Sequence, residues 1–386
     1  MIGGFDPMKD IEKLKAIASS FDTAGAVAEV KALGEGFIND TLTVVAVSSD
    51  GKKTRYILQR KNHNIFPDVP GMMHNIDLVT AHLKKKIEAE GGDPLKEVLT
   101  LVRRRSDSLT DEERKQPYCD LYFKDEDGGY WTMCLFIEGS VTYDRADTPL
   151  LAYKGGQGIG KFQSLLADFD TPLAETIKGF HDIRFRFEQW DASLKADKAG
   201  RVKNLAEEIG WIESRREEMM AFKKLVEDGE IPVRVTHNDT KLSNILFDEK
   251  GDVLCVIDLD TCMSASSLND FGDAIRSYAN TGAEDDRNLD NVSMSMEMFK
   301  AYTEGYLSMR KDTLCKNEID NLAFAAKYIT YEQVLRFLMD YIDGDTYYKI
   351  AYPVHNLVRT RAQYKLLQSM EEQYGQMCTA VKALAQ

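Results

Sequence analysis

The 386-residue sequence is short of several things, and each shortage excludes a class of protein. Its six cysteines, at 119, 134, 255, 262, 315 and 378, form no CxxC pair and no dense framework. That argues against a disulfide scaffold and for a reducing, cytoplasmic setting. Cys134 and Cys255 lie inside apolar strand-like runs and read as small core residues. The six histidines are scattered without metal-ligand spacing, so no zinc site is expected. No apolar run approaches the roughly 18–20 residues of a membrane span. The opening MIGGFDPMKD lacks a charged-then-apolar signal pattern. Basic residues are also in deficit. Lys+Arg 49 against Asp+Glu 63 gives a net charge of −14, a poor surface for nucleic acid or an anionic membrane. A single nucleotide needs only a local cation and backbone N–H groups, so it is not excluded. Oligomeric state is left open.

What is present suffices for a sizeable core: 43% of residues are apolar and 10% aromatic. The length suggests two lobes. A short amphipathic helix is expected over 8–20. Strand-like runs follow at 41–47 and 55–59 around the turn at 48–51, then a helix at 70–88 and a strand at 98–102. A hairpin is expected to pair 120–124 with 130–137. Beyond Gly139 a helical period dominates, at 147–168, 200–228, 296–310, 320–342 and 354–384, broken by a β segment at 233–258. The expectation is a small, mainly β lobe, a hinge near 138–145 and a larger, mainly α lobe.

The chemistry concentrates in 233–276. His237-x-Asp239-x-Lys241-x-x-Asn244 leads into a strand, a turn around Gly251, and a second strand ending at Asp258. Asn244 and Asp258 stand symmetrically about Gly251, so a two-stranded hairpin brings them to the same end. An acid, an amide and a second acid then converge, as phosphoryl transfer requires. Asp239 would take the acceptor hydroxyl's proton, and Asn244 and Asp258 would offer hard oxygens to Mg2+. Lys241 would neutralise charge on the transferring group. Asp270-Phe271-Gly272 spells a kinase metal motif but opens a helix. Asp270 and Asp273 are therefore read as a helix N-terminus that pins the catalytic loop. Gly155-x-x-x-x-Gly160-Lys161 nearly matches a P-loop, yet Phe162 stands where Ser or Thr must hold the metal, so a packed helix is expected.

In the first lobe, Gly34 and Gly36 let the backbone approach phosphates, with Asn39 or Thr41 as donors. Leu58 and Arg60 share a strand face, one for adenine and one for phosphates. Met133–Gly139 reads as a strand running into an adenine-reading hinge, with backbone groups at Phe136 and Glu138. Taken singly, a turn, a surface arginine and a core strand explain these equally well.

In this order, the motifs make the chain resemble the kinase-like small-molecule phosphotransferases, which include aminoglycoside phosphotransferases, choline kinases and methylthioribose kinases. It is most similar to the N-acetylhexosamine 1-kinases. The phrases that carry this are YILQRKN at 56–62, FIEG at 136–139, GKFQ at 160–163, ETIKGFHDIRFRF at 175–187, the 237–244 loop, 256–260, 268–276 and RFLMDYIDGDTYYK at 336–349. The resemblance implies an α+β, two-lobed protein-kinase-like fold. Residues 1–138 would form a small antiparallel β-rich nucleotide-binding lobe, and 139–386 a larger helical catalytic lobe. It implies ATP and Mg2+ as cofactors and a small-molecule sugar as partner, phosphorylated at its anomeric hydroxyl. Asp239 would be the base and Asn244 and Asp258 the metal ligands, with His237 and Asp273 in support and Arg336 and Tyr347 as sugar contacts. His181 and Arg186 fit a substrate pocket or an internal ion pair. Glu332, Arg336 and Asp340 repeat at i, i+4, i+8, as a solvated ladder would. No glutamate lies between Glu35 and Glu88 to pair with Arg60, which leaves Asp68, Asp77, Asn75 or no partner.

Overall fold

The computed structural model describes residues 11–33 and 39–386. The chain divides into two compact units. The first runs to Ser140 and adds Pro172–Ile177 and Leu254–Met263. The second takes Val141–Thr171, Lys178–Val253 and Ser264–Gln386.

The first unit begins with α1 (Ile11–Ser19), β1 (Ala26–Ala32), β2 (Asp40–Val47) and β3 (Lys53–Lys61). Then come α2 (Val69–Ala89), the single turn α3 (Pro94–Glu97), β4 (Leu101–Val102), β5 (Phe123–Lys124) and β6 (Tyr130–Leu135). The sheet order is β1-β2-β3-β6-β4, with β5 paired to β6 and every pairing antiparallel. A period of two drives it. Leu42, Val44 and Ala46 of β2 are buried with Tyr56 and Leu58 of β3, while the residues between them face outward. Leu14, Ile17 and Phe21 complete this core against Trp131 and Met133. The strands expected at 98–102 and 120–124 shrink to two residues each, because only their last residues find a partner on β6. Asp68 caps α2 by accepting the Gly71 N–H at 2.9 Å, one residue ahead of a run that starts Val69-Pro70.

The second unit holds α4 (Pro149–Leu165), α5 (Ile183–Ala196), α6 (Ala206–Glu213), α7 (Arg216–Glu227), β7 (Val233–Thr236) and β8 (Ile245–Phe247). β9 (Val253–Val256) runs back into the first unit. β10 (Met263–Ser266), α8 (Ser267–Tyr278), α9 (Met296–Arg310), α10 (Lys316–Asp343) and α11 (His355–Leu384) follow. The helix expected over 200–228 is two helices, broken at Ser214-Arg215. Helix α5 escapes the period reading for a physical reason. Its buried face is Ile183, Arg186, Phe187, Trp190 and Ser193, so charged and polar residues interrupt the apolar stripe. The near P-loop is a stretch of α4, with Gly155, Gly156 and Gly160 all buried. A Cβ at Gly156 would fall on the Tyr302 carbonyl of α9, and one at Gly305 on the Tyr153 carbonyl of α4. These glycines let two helix backbones touch, and they cradle no phosphate.

Candidate active site

The loop after β7 has its N–H groups fixed one by one. His237 and Asn238 both donate to Asp270, at 2.9 and 2.7 Å, Asp239 donates to the His237 ring at 3.2 Å, and Thr240 donates to Asp273 at 2.9 Å. Both acids come from the first turns of α8 and accept the loop's N–H groups. Their titration differs. Burial pushes the Asp270 carboxyl up, with His237 opposing. Burial acts on Asp273 in the same direction, but Arg276 and then His181 hold it below its ordinary value.

Within this frame Asp239 commits one oxygen and keeps the other. Its Oδ2 accepts from Lys241 Nζ at 2.9 Å and from Asn244 Nδ2 at 3.1 Å. Asn244 Nδ2 also donates to the Asp239 carbonyl at 2.8 Å. The amide nitrogen is thus spent inside the loop, and Asn244 Oδ1 is the end left for a hard cation. The turn beyond β8 closes with the Gly251 N–H on the Asp248 carbonyl at 3.0 Å, with Gly251 at φ +85°. Asp258 follows β9, belongs to the first unit, and sits in the left-handed region at φ +60°.

Helix α10 and its neighbours carry a second polar cluster in the same unit. Glu332 is 1% exposed, Arg336 9% and Asp340 5%, so this is no solvated ladder. Glu332 meets His181 Nδ1 at 2.6 Å and Arg186 Nε at 3.3 Å. Burial alone would raise its carboxyl, yet His181, Arg186 and Arg336 bring it down to about 2. Asp340 accepts the N–H groups of Thr346, Tyr347 and Tyr348 at 2.8, 2.8 and 3.0 Å, which clamps the loop carrying Tyr347. The Arg336 guanidinium lies over the rings of Phe180, Tyr347 and Tyr348 at 5.3–5.7 Å, and its Nη2 is 3.5 Å from the Tyr347 hydroxyl. It forms no ion pair with any carboxylate among the described residues. Tyr347 itself is 52% exposed.

In the first unit, β3 departs from the sequence expectation. Alternation puts Arg60 with Leu58 on the core side, where it fills the space beside Gly129 and Asp125. The next residue, Lys61, faces the other way and reaches buried Asp260 at 2.7 Å. Asn39 donates to the same carboxylate at 2.8 Å, and its oxygen accepts the Asn62 N–H. Thr41 accepts from Gln59 at 3.3 Å. The acids considered for Arg60 are engaged elsewhere: Asp68 caps α2 and Asp77 pairs with Arg103. Asn75 clips backbone at Ala174 and Cys262. At 136–138 the Phe136 N–H is taken by the Arg55 carbonyl at 3.1 Å. The Glu138 side chain pairs with Arg55, which also lies over the Phe136 ring. Gly34 and Gly36 lie outside the described residues. Lys61 and Asp260 are the residues that sequence reasoning missed. The signals were present, as a second basic residue after Arg60 and a second acid two after Asp258.

The sequence model of the phosphotransferase enzyme family matches residues 29–307. An aminoglycoside phosphotransferase from Alicyclobacillus acidocaldarius superposes with a TM-score of 0.55 at 13% identity, covering 97% of this chain and 98% of that one. A choline kinase from Streptococcus pneumoniae gives 0.52 at 14% identity, over 94% and 100%. An amicoumacin kinase in complex with AMP-PNP and Ca2+ gives 0.55 at 13% identity, over 93% of each chain. These likenesses establish the protein-kinase-like fold, an antiparallel sheet unit and a helical unit. With a family match that spans most of the sequence, the chain belongs to the phosphotransferase enzyme family.

Proposed function

We propose that this protein is an ATP-dependent small-molecule kinase that phosphorylates the anomeric hydroxyl of an N-acetylhexosamine. The observation that carries the reaction is Asp239. Its Oδ2 is held by Lys241 and Asn244, and its Oδ1 is left to accept a hydroxyl proton. The acceptor oxygen then bonds to the γ-phosphorus as the bond to ADP breaks. Lys241, on the same carboxylate, offsets charge on the transferring group. Asn244 and Asp258 are the oxygens assigned to Mg2+, which when bound would neutralise phosphate charge. In the first unit, Lys61 takes the role first given to Arg60, as the basic group for nucleotide phosphates, held by Asp260. With the Phe136 N–H on the Arg55 carbonyl, the hinge backbone assigned to the adenine is that of Glu138.

Arg336 supports a neutral, oxygen-rich acceptor. A buried guanidinium with unspent N–H donors suits sugar oxygens, and Tyr347 offers an aromatic face to a pyranose. Choline or a polycationic aminoglycoside would meet a like charge there. Release of ADP is measured with ATP, Mg2+ and a panel of N-acetylglucosamine, N-acetylgalactosamine, glucose, choline and kanamycin. The expected result is turnover of an N-acetylhexosamine with an acid-labile phosphate on C1 by 31P NMR. Turnover of choline alone, or a phosphate on C6, would replace this reading.

A further inference from the structure

One side chain at the catalytic loop is left without a task by this reading. His181 lies in the FHDIRFRF run just before α5 and is 8% exposed. Its Nδ1 is 2.6 Å from Glu332 Oε2, and its Nε2 is 3.3 Å from the Asn238 carbonyl. Both partners are acceptors, and the ring stands between them. The imidazole therefore bridges a buried carboxylate on α10 to the peptide immediately before Asp239.

The backbone gives this bridge a purpose. His181 and Asn238 both stand in the left-handed region, at φ +56° and +64°. Non-glycine residues persist in that region only where the surroundings hold them there. Asn238 is held from both sides: its N–H goes to Asp270 and its carbonyl to His181. Rotation of that peptide would re-aim the Asp239 side chain. Glu332 in turn fixes the ring, and Arg186 steadies the second oxygen of Glu332.

We propose that His181, anchored by Glu332, is a positioning residue that sets the direction of the Asp239 carboxylate through the Asn238 carbonyl. This rests on Asp239 being the base, and on no particular acceptor. The side chain acts on kcat, because it aligns the proton acceptor and spares the sugar contacts at Arg336 and Tyr347.

The test is steady-state kinetics of the full chain carrying His181→Ala, His181→Gln or Glu332→Gln, with ATP and the sugar the wild type turns over. Sugar-free ATP hydrolysis, in which water replaces the sugar hydroxyl, is measured in parallel. Misaiming the base predicts a kcat loss of about 10²-fold for His181→Ala, an acceptor KM within about threefold, and an equal fractional loss in hydrolysis. His181→Gln keeps an N–H for the Asn238 carbonyl and recovers part of the rate. In an Asp239→Asn background, adding His181→Ala costs little more, because the two act as a unit. A raised acceptor KM at unchanged kcat would make His181 a sugar contact and overturn the proposal. So would fully additive losses in the Asp239→Asn background, which mark a merely structural role. Should His181→Ala fail to fold, Glu332→Gln and His181→Gln carry the same comparison. If no sugar in the panel is turned over, the sugar assignment falls, and the hydrolysis arm still decides for or against His181.

Discussion

Asp239 keeps one oxygen uncommitted because Lys241 and Asn244 occupy the other from inside the same loop. Replacing it with asparagine removes a proton acceptor and leaves the shape. We expect kcat to fall by about 10²–10⁴-fold with the nucleotide KM near wild type, read by coupled ADP release. Lys61 makes a different kind of contribution. Its side chain is 4% exposed and that of Asp260 5%, so Lys61→Met strands a buried carboxylate that, among the described residues, Asn39 still serves. The expected loss is about 3–5 kcal/mol in denaturant unfolding. Adding Asp260→Asn should recover part of it, and a double variant no better than Lys61→Met would refute the pairing. Arg60→Met, on the core side, should leave the nucleotide KM unchanged. The residue scale is where sequence reading divides. The 237–244 loop was legible because its functional groups are local. Lys61 was not, because adjacent residues on a strand differ only in which face the rest of the sheet buries.

At the scale of elements, helix α4 meets α9 through glycines that bring the two backbones together, with Gln163 of α4 accepting from Tyr306 of α9 beside them. Gly156→Ala would drive a methyl group onto the Tyr302 carbonyl, and Gly305→Ala one onto that of Tyr153. Each should cost about 1–3 kcal/mol from overpacking, seen as a lowered Tm, despite the better helix propensity of alanine. A rise in Tm at either site would mean that the helices have room to separate. Helix α10 shows the opposite lesson about polar faces. The spacing of Glu332, Arg336 and Asp340 was visible in the sequence as a helix face, and that face is real. Its solvent exposure was not legible, since α5 and α8, from distant parts of the chain, and the following helix α11 pack against this helix. The same effect concealed α5, whose buried arginine spends its charge on Glu332 of α10.

For the molecule as a whole, the cationic surroundings of Glu332 link stability to acid. Its carboxyl is brought from an ordinary 4.5 down to about 2 in the folded state. The stabilisation is therefore complete above about pH 4.5 and is lost as pH falls toward 2. Urea unfolding at pH 7, 4.5 and 3 should show the wild type losing more stability between the last two than Glu332→Gln does. Parallel losses in the two proteins would remove Glu332 from the acid response. Charge balance alone, −14 over the chain, argued against polyanionic partners and said nothing of these pairs. What the sequence determined by itself was most of the order of strands and helices, α5 and the break between α6 and α7 excepted, because hydrophobic period and turn residues act over a few positions. It also singled out the loop at 237–244, whose acid, lysine and amide hold one another within six residues. Tertiary structure alone decided which of Arg60 and Lys61 faces Asp260. It also decided that Glu332, Arg336 and Asp340 are buried and that His181 reaches the Asn238 carbonyl. The contacts of Lys61 with Asp260, of Glu332 with His181 and of His181 with Asn238 join residues 57 to 199 positions apart, and no local pattern encodes which distant surface will cover a side chain.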